Sequence, residues 1–192
     1  MAVYPKKVEL RAFSPRMSGE GDEAAACGRS ASFVCGCYVS FSLKNVDDEI
    51  AASFTSNGCG YMVAVADILA GTVAGKAVSE LHGLDRSELM TAVEGELGVL
   101  PSTREHCAEV CFEALRNAFV ALRERRIGEF RGDEALICTC FGISERFLDD
   151  FITSNRNASV ESIADSCRAG SGCGSCRMLI QEMLENAAAM YV

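Results

Sequence analysis

Tyr38-Val-Ser-Phe-Ser-Leu-Lys44, with Asn45-Val-Asp-Asp-Glu-Ile-Ala-Ala-Ser-Phe54 behind it, settles the architecture of the first half of the chain. Val39, Phe41 and Leu43 alternate with Ser40, Ser42 and Lys44, which puts the apolar residues on one face of a strand that the pattern starts near Val34. Asn45, Asp47 and Asp48 supply turn chemistry, and Ile50, Ala52 and Phe54 repeat the period of two, so the pair reads as an antiparallel hairpin. Beyond Gly58-Cys59-Gly60, the run Tyr61 to Ala70 is apolar all round except for Asp67, as suits a buried helix closed loosely by Gly71 and Gly75. Asp85 and Glu88 make a capping pair for a helix through about Glu96. Pro101 marks a loop, and Ser102 with Glu105 opens a long helix. Cys107, Val110, Cys111, Ala114, Leu115, Ala118 and Leu122 form its apolar face, and Arg123, Arg125 and Arg126 suit the negative end of its dipole.

From Ile127 to Ala135 a charged stretch with Gly128 and Gly132 marks the expected boundary between a domain over 1–130 and a second over 131–192. The second shows helical segments near Ser144 to Thr153, Ser159 to Cys167 and Cys176 to Ala188, with no clear strand. That is small for an independent core and calls for a staple. The expected fold is α+β: a small antiparallel sheet covered by helices, then a small all-helical domain.

The chain has 192 residues with 49% hydrophobic and 23% charged, which excludes disorder and low complexity. A formal charge of −9 argues against a nucleic-acid partner, because phosphate binding needs clustered Lys and Arg. No apolar run approaches the roughly 20 residues of a membrane span, and Met1 to Leu10 lacks the pattern of a secretion signal, so a soluble cytoplasmic protein is expected. The 11 cysteines are the outlier, since thiols in a reducing compartment bind metal or do redox chemistry more often than they pair.

Cys138-Thr-Cys140 and Cys173-Gly-Ser-Cys176 place two close thiol pairs at either end of the second domain. Two chelating pairs lower the entropy cost of gathering four soft ligands, and Gly170, Gly172 and Gly174 let backbone N–H groups approach an anionic centre. Four thiolates suit zinc as well as a [2Fe-2S] cluster, and the bland alternative is a set of buried free thiols. In the first domain Cys35, Cys59 and Cys107 stand at a strand start, in a Gly-Cys-Gly loop and in a first helical turn. These are positions where thiolates are favoured, with His106 beside the last as a further nitrogen ligand or else a surface or satisfied core residue. Cys111 and Cys167 read as core residues, and Cys27 as a loop thiol.

Ile137-Cys138-Thr-Cys140-Phe141 and Ala169-Gly-Ser-Gly-Cys173-Gly-Ser-Cys176 resemble the bacterioferritin-associated ferredoxin-like domain. Upstream, Tyr4-Pro-Lys-Lys-Val8 with Phe13-Ser-Pro-Arg16, Cys35-Gly36, Gly58-Cys59-Gly60 and Leu100-Pro101 leading to His106-Cys107 resemble the IscU and NifU N-terminal scaffold in order. Cys27-Gly28 offers a rival first match, but the strand pattern follows Cys35. The resemblance implies iron-sulfur cluster assembly rather than enzymatic turnover. Cys138, Cys140, Cys173 and Cys176 would hold a permanent [2Fe-2S] cluster with a redox role in assembly or release. Cys35, Cys59, His106 and Cys107 would hold a transient [2Fe-2S] or [4Fe-4S] cluster, or zinc, and Cys107 would be the persulfide acceptor. The implied partners are a cysteine desulfurase of the NifS or IscS type and apo iron-sulfur proteins, with a homodimer left open; a third domain carrying another CxxC has no counterpart here. Where the family places aspartate two residues after its first cysteine, this chain has Cys37, expected on the same strand face as Cys35 and hence a fourth thiolate. Leu100-Pro-Ser-Thr-Arg104 departs from the family's chaperone-recognition segment, although Arg104 keeps its charge. Two other classes stay open: an electron-transfer protein with two stable clusters, and a zinc-binding regulatory protein.

Overall fold

The computed structural model describes residues 4–22, 25–47, 49–78, 80–81, 84–129 and 135–189. Packing divides the chain into two units, one of residues 1–77 with 84–122 and the other of residues 78–83 with 123–192. The boundary expected over 127–135 falls largely outside the described residues.

The first unit opens with α1 (Lys6–Phe13) and continues through β1 (Ala26–Ala31), β2 (Tyr38–Val46) and β3 (Glu49–Ser56), which form an antiparallel sheet in the order β1-β2-β3. Phe41 stands opposite Phe54 and Leu43 opposite Ala52, so the period of two delivers Val39, Phe41, Leu43, Ile50 and Phe54 to one buried face. Asp47 makes the turn with φ 50°, a left-handed conformation that Asp tolerates better than most residues. The helical part of the unit is α2 (Gly60–Val73), α3 (Arg86–Leu97), a 3-10 turn at Ser102–Arg104 and, up to Leu122, the long α4 (Glu105–Glu129). A side chain at Gly28 would put its Cβ 1.9 Å from the Ala118 nitrogen, so β1 crosses α4 backbone against backbone.

Asp67, the one charge in the apolar helix α2, is fully buried. Its Oδ2 lies 2.7 Å from Arg11 Nε, and its Oδ1 accepts from the Met17 N–H at 2.7 Å. The anomaly in the hydrophobic pattern is therefore the anchor for the N-terminal helix, because a buried carboxylate is tolerated only with a charged partner and hydrogen bonds. Asp85 caps α3 by accepting from Ser87 and Glu88 N–H groups, as its spacing predicted.

Three local expectations change. The strand begins at Tyr38 rather than Val34, since Phe33, Val34 and Cys35 form a turn, so Cys35 and Cys37 do not share a strand face. Ser102 sits inside the 3-10 turn and does not cap α4. Cys27 lies in β1 rather than a loop, with Sγ 3.4 Å from Ser42 Oγ.

The second unit contains β4 (Leu136–Cys138), β5 (Ile143–Ser144), α5 (Glu145–Ser154), α6 (Val160–Cys167) and α7 (Arg177–Ala189). The three helices fall where the sequence put them, and the short antiparallel β4-β5 ladder adds strand to a domain expected to be wholly helical. Ser144 caps α5, and Ser159 with Ser162 forms a reciprocal capping box on α6. Leu148, Ile152, Val160, Ile163, Ala169 and Ile180 form the core, with Cys138 and Cys176 buried at its edge. Among the described residues no helix is long and apolar enough to cross a membrane.

Candidate functional site

Cys59 occupies the N-cap of α2, and Cys107 the third residue of α4, so two helix N-termini bring their thiols together at 3.8 Å. The flanking glycines owe their place to close contact. A Cβ at Gly58 would meet Met62 Sδ at 2.4 Å, and one at Gly60 would press on the Tyr4 ring at 3.0 Å, whose hydroxyl accepts from the Gly60 N–H at 3.1 Å. Tyr4 packs edge-on against Tyr61, and the Arg104 guanidinium lies 5.8 Å over that Tyr61 ring while its Nη1 stands 3.9 Å from Cys59 Sγ. His106 Nε2 is 3.5 Å from Cys107 Sγ.

The two thiols divide one proton's work between them. The Cys59 thiol is lowered to about 5, first by the hydrogen bond it receives from Cys107, then by the Met62 and Tyr61 N–H groups and the Arg104 charge, against a partial cost of burial. Cys107 is pushed up by donating to the Cys59 sulfur and by its burial, being only 1% exposed. Burial works against a thiolate at Cys107, and Cys59 is the more exposed sulfur of the pair. Cys111, fully buried and donating to the Met62 carbonyl at 3.6 Å, is likewise pushed up by desolvation, as befits a core thiol.

Cys35 and Cys37 lie in the turn between β1 and β2. Cys35 is exposed and lowered to about 7, first by the Ser32 hydroxyl and then by the backbone and thiol of Cys37, with a smaller contribution from His106. Cys37 is half-buried and raised, chiefly because its thiol bonds to the Cys35 sulfur and because burial disfavours charge, while the Cys59 backbone N–H partly offsets this. The structure thus brings Cys35, Cys37, Cys59, His106 and Cys107 into one neighbourhood. Sequence reasoning passed over Ser32 and quoted Tyr4 only as part of a family motif; no spacing pattern marks the Ser32 hydroxyl beside Cys35 or the Tyr4 hydroxyl that accepts from the Gly60 N–H.

In the second unit Cys138 ends β4, Cys140 follows in a turn, Cys173 is exposed and Cys176 lies directly before α7. Cys140 Sγ lies 3.4 Å from Cys173 Sγ. Cys138 is lowered by the Cys140 thiol and by the Gly170 and Phe141 N–H groups, whereas Cys140 is raised to about 12 by that same bond and by burial. Cys176 also disfavours charge on Cys138, so these two core thiols act on each other. A Cβ at Gly172 would lie 3.0 Å from Cys140 Cβ and from the Phe141 ring, and Gly170 and Gly174 have φ of 85° and 73°. Bare backbone therefore cradles the thiols, and four soft donors with inward N–H groups fit a dianionic [2Fe-2S] centre. Among the described residues no three or more His, Cys, Asp or Glu side chains are closed up around a single-ion site.

Comparison with known proteins places both halves. The sequence profile of the NifU-like N terminal domain matches residues 3–128, and that of the BFD-like [2Fe-2S] binding domain matches residues 136–186. The nitrogen fixation protein NifU of Azospirillum brasilense is 28% identical over 186 residues, covering 95% of this chain and 59% of its own. The iron-sulfur cluster assembly scaffold protein IscU 1 of Archaeoglobus fulgidus is 29% identical over 119 residues, covering 62% of this chain and 75% of its own. Among solved structures, a nitrogen-fixing NifU-like protein (N-terminal) from Brucella abortus aligns with TM-score 0.48 at 19% identity, covering 63% of this chain and 94% of its own. The chain spans 59% of the length of three of the NifU relatives it matches and 43% of a fourth.

Proposed function

The chain belongs to the NifU-like N-terminal domain family, and on that premise we propose that it is a scaffold on which iron-sulfur clusters are built and from which they are handed to apo-proteins. The observation that carries this reading is the Cys59 and Cys107 pair at 3.8 Å, with Cys59 half-buried and its proton affinity lowered by its neighbours, Cys107 buried and raised, and His106 and Arg104 beside them. Such a pair suits sulfur transfer. Cys59 as thiolate attacks the outer sulfur of a persulfide offered by a cysteine desulfurase, and the donor's inner sulfur leaves as thiolate. Cys107 becomes the receiving residue instead if the incoming partner uncovers it. Iron and sulfide are the cargo, held between Cys35, Cys37, Cys59, Cys107 and His106 as a [2Fe-2S] or [4Fe-4S] cluster until an apo-protein takes it.

In the second unit Cys138, Cys140, Cys173 and Cys176 would hold a resident [2Fe-2S] cluster, which supplies one electron at a time when bound. The protein's part there is to keep Cys138 and Cys176 at the core's edge, so that the ligands are fixed by packing rather than by the metal alone. A protein whose cysteines are all free would work in the reducing cytoplasm.

Anaerobic purification with iron, sulfide and zinc analysis tests the scheme, using wild type and a triple Cys35→Ser, Cys59→Ser, Cys107→Ser variant. The scaffold reading expects about two irons retained by both proteins and an additional labile cluster, transferable to apo-ferredoxin, in wild type only. Equal transfer from the triple variant, or a colourless zinc protein, would overturn it.

A further inference from the structure

Two arginines grip the segment that carries the first thiol pair of the second unit. Arg123 donates from Nε and Nη2 to the Thr139 hydroxyl at 3.2 and 3.0 Å, and Thr139 stands between Cys138 and Cys140. Directly after Cys140, the Phe141 ring lies under the Arg168 guanidinium, whose Cζ is 4.8 Å from the ring centroid. That ring and the Cys140 sulfur lie 3.0 and 3.2 Å from where a Cβ at Gly172 would stand, so ring, thiol and glycine close on one another. Arg168 is also an outlier in its backbone. It ends α6 with φ 65° and ψ 3°, the left-handed position that usually falls to glycine because a side chain is strained there. The turn is held by the Arg168 N–H to the Ala164 carbonyl at 2.9 Å, and by the Ser171 N–H and hydroxyl to the Arg168 carbonyl at 3.1 and 2.7 Å. Closing a helix needs no guanidinium, and glycine would close this one without strain. Strain kept beside a ligand loop therefore points to what the side chain does there. Arg168 is half-buried, so its charge is screened less than that of an exposed arginine.

We infer that Arg168, with Arg123 in support, raises the reduction potential of a [2Fe-2S] cluster held by Cys138, Cys140, Cys173 and Cys176, which rests on the resident-cluster reading above. One electron, taken from a donor such as dithionite, turns the dianionic centre into a trianion. A permanent cation nearby stabilises the trianion more than the dianion, so reduction becomes easier and the potential rises. A unit charge on the order of 10 Å from a one-electron change, at an effective dielectric constant of about 20 to 40, shifts the oxidised-to-reduced ratio roughly fivefold to tenfold. Arg123 is more exposed and more screened, and its share is roughly twofold to threefold. In a chain of net charge −9, two guanidiniums on one short ligand segment are a local reversal of the overall field.

The test is an anaerobic dithionite titration of the full chain carrying Cys35→Ser, Cys59→Ser and Cys107→Ser, so that the iron observed belongs to the second unit. Arg168→Gly is expected to keep about two irons and to shift the oxidised-to-reduced ratio roughly fivefold to tenfold, a potential about 40 to 60 mV lower. Arg123→Met shifts it roughly twofold to threefold in the same direction, and Arg168→Lys, which keeps the charge, stays within about twofold of the parent. In urea, Arg168→Gly unfolds no earlier than the parent, because glycine takes the left-handed position without strain. An unchanged potential in Arg168→Gly or Arg123→Met overturns the inference, as does a fall in Arg168→Lys as large as in Arg168→Gly. Iron loss or earlier unfolding in Arg168→Gly overturns it too, by showing that the arginine holds the loop instead of setting its field. If the parent retains no iron, the resident-cluster reading itself fails; retained iron with unmoved potentials removes only the arginines' role.

Discussion

Cys107→Ala removes the largest single influence on Cys59, the thiol that donates to its sulfur at 3.8 Å, and its effect can be read as a rate of alkylation. In the metal-free wild type Cys59 titrates at about 5, against 9.0 for an ordinary thiol. At pH 6 it is ~90% thiolate where an ordinary thiol is ~0.1%, a gain of roughly 900-fold in reactive species. A less basic thiolate is a weaker nucleophile, and a Brønsted slope near 0.45 over four decades of basicity returns roughly 60-fold of that gain. The net advantage at pH 6 is therefore about 15-fold, whereas at pH 7 the same arithmetic leaves about twofold, so the comparison belongs at the lower pH. Iodoacetamide labelling of the chelated, reduced protein, quantified peptide by peptide, should show Cys59 saturating above pH 6 and Cys35 rising through about 7. In Cys107→Ala the Cys59 profile should move to higher pH and lose most of its advantage at pH 6. A Cys59 profile still climbing between pH 8 and 9 in wild type, or one that does not move in the variant, would show that the thiol pair is not what ionises Cys59.

Three further perturbations probe the frame that holds these sulfurs. Arg11→Met leaves the fully buried Asp67 with only the Met17 N–H, and should lower stability by roughly 3 kcal/mol in urea denaturation; a loss below about 1 kcal/mol would mean that the ion pair does not anchor α1. Gly172→Ala drives a methyl group against Cys140 and Phe141, and should cut the iron retained by Cys138, Cys140, Cys173 and Cys176 while leaving α5 to α7 folded, as judged by iron analysis beside circular dichroism. Ser159→Ala removes half of the α6 capping box and should cost about 1 kcal/mol, measured in the same denaturation assay.

Periodicity carried most of the fold because its physical basis is local. Val39, Phe41, Leu43 and Phe54 alternate because a pleated strand has a period of two, and Ser144, Ser159 and Asp85 mark helix starts because orphan N–H groups need acceptors. β1 escaped because Ala26-Cys-Gly-Arg-Ser-Ala31 has no β-branched residue; it forms by pairing with β2 and by the absence of a side chain at Gly28, both properties of the partner surfaces. Asp67 could be seen as an exception to its helix, but not that Arg11, far away in sequence, resolves it. The same division holds at the sulfurs. Paired spacings foretell Cys138 with Cys140 and Cys173 with Cys176, whereas the ordering of proton affinities between Cys59 and Cys107 depends on burial. A helix N-terminus alone favours Cys107 as thiolate; 1% exposure and the neighbouring sulfur work against that preference, while the same contact lowers Cys59. Sequence therefore tells which atoms can carry the chemistry, and the competition between dipole, desolvation and hydrogen bond, which exists only once the chain has folded, tells which of them begins it.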